Sequence, residues 1–164
     1  MKKHFFLILL ICNNSIFGQT KKETIDWLNT KFQSSPIISD EIEQYTRFLK
    51  INQDGSFTIL VYNYSPKILL LDTSNYRWKT IFTGNFKDLS PNSIRTETIK
   101  GKIFFFASCS YGNCITQNDI GPDYNIFKNP NVLLAVTSDA SLEPRCKKAL
   151  IHLVNLFGGK KEPF

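Results

Sequence analysis

Histidine is nearly missing: the 164 residues contain two, His4 and His152. A zinc centre cannot be completed from so few, and no HExxH pattern exists. Phosphate-cradling glycine loops are also lacking. There is no P-loop and no GxGxxG opening a helix after a strand, and the GxSxG elbow of serine hydrolases is absent as well. No catalytic motif, metal or cofactor is therefore implied. Long apolar runs are missing too. The segment Phe5–Cys12, FFLILLIC, is eight residues. As a helix it covers about 12 Å of a bilayer core about 30 Å thick.

That short run has a different expected use. Lys2, Lys3 and His4 precede it, and Asn13-Asn14-Ser15 and Ile16-Phe17-Gly18 follow it. Basic start, apolar stretch and small-residue exit are the parts of a secretory signal peptide. Cleavage is expected after Gly18, leaving Gln19–Phe164 as a single globular domain. A lipoprotein signal requires a small residue before its cysteine, and Ile11 precedes Cys12. The expected destination is periplasmic or extracellular, with no transmembrane segment after processing.

Removing Lys2 and Lys3 lowers the net charge from +6 to +4. The remaining basic residues alternate with acids, as in Lys21-Lys22-Glu23 and Lys160-Lys161-Glu162. A nucleic-acid binder clusters its cations with aromatics on one face, so no nucleic-acid partner is expected. Three cysteines survive processing. Export favours oxidation, and Cys109 and Cys114 in CSYGNC are the expected disulfide, with Gly112 turning the chain between them. Pairing of Cys146 with either one is the alternative.

The pattern predicts an α+β fold. Thr20 and Glu23 form a capping box, and Ile25, Leu28 and Phe32 repeat on one helical face. Seven strands are expected next, mostly antiparallel. They are Tyr45–Ile51, Ser56–Tyr62, Ile68–Leu71, Arg77–Thr83, Ile94–Ile99, Lys102–Ser108 and Val132–Thr137. Asn52-Gln53-Asp54-Gly55 and Lys100-Gly101 mark hairpin turns. Gly84–Asn92 and Cys109–Asn131 are expected to be loops. A closing helix begins near Asp139 or Ser141, with Pro144 in its first turn and Gly158-Gly159 as its stop. It carries Leu142, Cys146, Ala149, Leu150, Leu153 and Phe157 on one face, which makes Cys146 a buried small hydrophobe. Cys146 and His152 point about 120° apart on that helix and do not form a nucleophile–base pair.

Helix, seven antiparallel strands and an apolar-faced closing helix resemble a pleckstrin-homology-like barrel. That resemblance implies a bent or closed sheet plugged by the last helix. A second resemblance rests on the signal ending FGQ, the opening ETIDWLNTKF, the Cys109–Ile115 element CxxxxCI and the ending KKALIHLVNLFGGKKEPF. Together these are similar to small exported flavobacterial-type proteins of unknown function. That similarity implies a cell-envelope setting and carries no catalytic residue across.

Two function classes follow. The first is an exported binding module for a protein, peptide or envelope component. It would use the Cys109–Asn131 connection, with Tyr111, Asn113, Asp119, Asp123 and Tyr124 as candidate contacts. The second is a small envelope hydrolase with a carboxylate or tyrosine site, since paired carboxylates meet only in space. Glu97 is the one acid in the middle of an expected strand and fits ordinary alternation. Asn118, Asp119, Asp123 and Asn125 have the oxygen chemistry of calcium ligands, but their spacing is not that of an EF-hand. Beside Gly121-Pro122 they are read as turn residues.

Overall fold

A computed structural model describes residues 20–33, 38–39, 44–64, 78–120 and 124–158. The expected signal peptide and the expected strand Ile68–Leu71 lie outside the described residues.

Helix α1, Lys21–Phe32, starts where the capping box placed it. Thr20 Oγ1 accepts from the Glu23 N–H at 3.2 Å, and Glu23 Oε2 accepts from the Thr20 N–H at 2.9 Å. Ile25, Leu28 and Phe32 form its buried stripe. Helix α2, Glu143–Leu156, follows a 3-10 turn at Ala140–Leu142 that Asp139 caps by accepting from the Ser141 N–H. Pro144 sits in its first turn, where no intrahelical N–H is required. Cys146, Ala149, Leu150, Leu153 and Val154 are its buried face.

Between the helices run the two-residue strand β1 (Ile38–Ser39) and eight longer strands, all paired antiparallel. These are β2 (Gln44–Ile51), β3 (Ser56–Tyr64), β4 (Trp78–Asn85), β5 (Arg95–Ile99), β6 (Lys102–Ser108), β7 (Ile115–Ile120), β8 (Asn125–Asn129) and β9 (Asn131–Thr137). They form two sheets, one ordered β1-β2-β3-β4-β7-β8 and one ordered β5-β6-β9. The larger sheet ends at β1 and β8 with no pairing between them among the described residues. Among the described residues the expected single seven-stranded sheet is thus corrected to two sheets, and no closed barrel forms. The pleckstrin-homology-like resemblance is therefore not confirmed; what stands is a mostly antiparallel β fold with a helix at each end. The reason is local: β4 leads through two 3-10 turns, Phe86–Asp88 and Pro91–Ser93, into the second sheet, and the chain returns at β7.

Both hairpin turns form where expected. Gly55 takes φ 85° and donates to the Asn52 carbonyl at 3.0 Å. Lys100 and Gly101 both have positive φ, 49° and 72°, as a two-residue turn of the primed type requires.

The core lies among the helices, one half of the larger sheet and one face of the smaller. Phe105 packs edge-on against Phe32 of α1, with centroids 5.5 Å apart. Phe104 and Phe106 point to the opposite face and stack on each other, with Val136, Leu133 and Tyr45 around them. The three consecutive phenylalanines therefore serve two apolar clusters, as strand alternation dictates.

Candidate functional site

The strand registers assign side chains to the inner face of the larger sheet in rows. Ile51, Phe57, Gly84 and Ile115 lie at the core end. Leu49, Ile59, Phe82, Gln117 and Phe127 come next, and then Arg47, Val61, Thr80, Asp119 and Asn125. The face thus grades from apolar to polar along the strands. A linked ladder across β4, β7 and β8 runs from Thr80 and Asp119 at the polar end to Asn129, which sits opposite Ile115. Thr80 Oγ1 donates to Asp119 Oδ1 at 2.8 Å. Gln117 Nε2 donates to both Asp119 oxygens at 3.0 and 3.1 Å. Asn129 Nδ2 donates to Gln117 Oε1 at 2.9 Å.

Arg47 stands at the same polar end, on β2. It is 7 % exposed, and its guanidinium lies over the Phe82 ring, 5.1 Å from the centroid. Its Nε is buried without a hydrogen-bond partner. Burial pulls its pKa down from the usual guanidinium range to about 10, opposed by the neighbouring Tyr45. It remains a cation at neutral pH. Among the described residues no carboxylate pairs with it; the one acid in the ladder, Asp119, lies three strands away and is engaged by Thr80 and Gln117.

The segment Cys109–Asn131, expected to be a loop, is instead mostly a β-hairpin, β7–β8. The expected disulfide is present: Cys109 and Cys114 bridge at the Ile115 end of the hairpin. Backbone bonds fix that end. Cys109 N–H donates to the Pro130 carbonyl at 2.7 Å, and Ser110 N–H to the Asp88 carbonyl at 2.8 Å. The candidate contacts are consequently split. Tyr111 and Asn113 are exposed in the disulfide loop. Asp119 is half-buried on β7, and Tyr124 is exposed just before β8. Six residues of β7 span about 17 Å, so the two groups occupy opposite ends of the hairpin. Asp123 lies outside the described residues. Asn118 and Asp119 are adjacent strand residues facing opposite ways, not turn residues. Among the described residues no group of three or more His, Cys, Asp or Glu could hold a metal ion.

Exposed large apolar side chains concentrate on this hairpin. Tyr111, Ile120, Tyr124, Ile126 and Phe127 are 43–62 % exposed. Ile99 and Leu156 are the others so exposed among the described residues. Strand β8 is a sheet edge and is exposed at every position except Asn129. Elsewhere, a groove of about 440 Å³ beside α1 is lined by Asn29, Gln33, Phe48, Leu49, Lys50, Thr58 and Leu60. It contains no carboxylate and no tyrosine.

Two other sequence readings can be placed. Cys146 is fully buried, and burial pushes its thiol up to about 11. His152 is half-buried on the same helix. Glu97 is exposed and pairs with Arg95 at 3.3 Å.

Comparison of the chain with protein-family models, with curated proteins and with solved structures finds no match. The ladder residues Thr80, Gln117 and Asn129, and Arg47 itself, were not singled out from sequence. For Arg47 a signal existed. It is in phase with Leu49 and Ile51 on an alternating strand, which places a charge on the inward face.

Proposed function

We propose that this chain is an exported binding domain that holds an extended polypeptide segment of a partner along β8. One observation carries the reading: the exposed large apolar side chains gather on the β7–β8 hairpin and its disulfide loop, at a sheet edge that no other described strand pairs with. An edge strand offers a row of unpaired N–H and C=O groups. Strand addition uses those groups for affinity and alternate side-chain contacts for specificity. Ile126 and Phe127, neighbours in β8, supply one apolar contact on each face. The disulfide and the Cys109–Pro130 backbone bond brace one end of the hairpin, which limits the ordering cost of binding. The basic and apolar character of residues 1–18 supports export, and an oxidising compartment suits the Cys109–Cys114 bridge.

The test is selection from a displayed library of random peptides on the immobilised protein. Enriched peptides are expected to alternate apolar and polar residues and to lose binding to Ile126→Asp and to Phe127→Asp. Both positions are exposed, so these variants should stay folded. Enrichment that is equal on the wild type and on both variants contradicts the proposal.

A further inference from the structure

We propose that Arg47 anchors a second, separate binding site, one that takes a single carboxylate group from outside the chain. The argument begins with cost. A cation taken out of water without a partner is among the most expensive features a fold can carry. Arginine cannot escape by losing its proton at neutral pH, because its ordinary pKa lies far above it. Arg47 is 7 % exposed, its Nε is buried with no acceptor, and among the described residues no carboxylate reaches it, Asp119 lying three strands away.

What surrounds Arg47 defines the ligand. Phe82 covers one face of the guanidinium, which leaves the in-plane N–H edge as the direction of recognition. That planar fork matches a carboxylate, two oxygens against two N–H groups. One negative charge neutralises the site. A phosphate dianion would leave a net buried charge and a larger desolvation cost. Val61, buried, and then Thr80, whose hydroxyl donates to Asp119, follow Arg47 in the same cross-strand row, so the side chain next to the cation is apolar. The ligand class is therefore a small or peptide-borne monocarboxylate with an apolar group next to the acid.

The probe is sodium acetate, titrated against sodium chloride at matched ionic strength while thermal unfolding is followed. Acetate should raise Tm saturably, by about 2–5 °C. Arg47→Met should fold at least as well as wild type, because a buried charge with no carboxylate partner among the described residues is replaced by an apolar chain of similar length. It should also lose the acetate response. Arg47→Lys keeps the charge without the fork and should need about tenfold more acetate. Ile126→Asp should keep the full response, which separates this site from the β8 edge. As a check that needs no variant, the Arg47 15Nε signal of the wild-type protein should shift on addition of acetate. The proposal is overturned by a response equal to that of chloride, by a larger response to phosphate, by a response that survives in Arg47→Met, or by a 15Nε signal that does not move.

Discussion

Gly84 in the larger sheet has no room for a side chain, and replacing it with alanine tests the packing directly. A Cβ built on Gly84 would lie 2.6 Å from Phe57 Cζ and 2.9 Å from Ile115 Cδ1. Phe57 and Ile115 are 1 % and 0 % exposed, and Phe57 packs edge-on against Phe86 with centroids 5.4 Å apart. The ring cannot swing away without disturbing Phe86, which in turn stacks on Phe157. Overfilling a packed core costs about 1–3 kcal/mol. Loss of glycine's freedom in the unfolded chain returns about 0.4–1 kcal/mol. The net expectation for Gly84→Ala is a loss of about 1–2 kcal/mol, read by urea denaturation as a lower midpoint with unchanged slope. Phe57→Leu removes the opposing ring edge, so the double variant should be more stable than additivity predicts, by about 1 kcal/mol. A Gly84→Ala protein as stable as wild type, or strict additivity with Phe57→Leu, would refute this account of the core.

Asn29 on α1 clamps the end of β2, donating to the Ile51 carbonyl at 2.9 Å and accepting from its N–H at 2.8 Å. Asn29→Ala should cost about 1–3 kcal/mol in chemical denaturation, and Asn29→Asp, which keeps only the acceptor, should be intermediate. Replacing both Cys109 and Cys114 with serine opens a short loop, sequence separation 5. It should lower stability by about 2 kcal/mol, and added reductant should reproduce the loss in the wild type. Cys146 gives a pH prediction. Its folded pKa, about 11, lies above the ordinary 9.0, so between those values the unfolded chain releases its proton first. Stability should therefore fall as pH rises through that window, and Cys146→Ala should lessen the slope. Iodoacetamide should label Cys146 in the native protein only after unfolding.

Much of the scaffold was legible because it rests on local chemistry. Thr20 and Glu23 mark the start of α1, Asn52–Gly55 and Lys100-Gly101 the two hairpins, and Lys102–Ser108 a strand whose bounds match the structure. The CSYGNC spacing identified the disulfide. The β7–β8 hairpin was not legible, for a physical reason. ITQNDI and NIFKN do not alternate apolar with polar residues, because one face of the hairpin carries Asp119, Gln117 and Asn129 of the ladder and the other carries half-buried Thr116 and Asn118 with exposed Ile126 and Lys128. These strands are held by side-chain hydrogen bonds and by pairing with β4, neither of which leaves a periodic apolar signature. Dense turn residues at Gly112, Gly121-Pro122 and Pro130 strengthened the loop reading. The division into two sheets depends on long-range pairing, β4 with β7 and β6 with β9, which no local pattern encodes. Arg47 was legible in principle from its phase on β2 alone.

The binding reading is tested most directly by amide hydrogen exchange along Asn125–Asn129, with and without a peptide selected on the wild-type protein. Strand addition predicts that alternate β8 amides, those facing away from β7, slow by at least about tenfold when the peptide is bound. Unchanged exchange along β8, with protection appearing on another element instead, would contradict it.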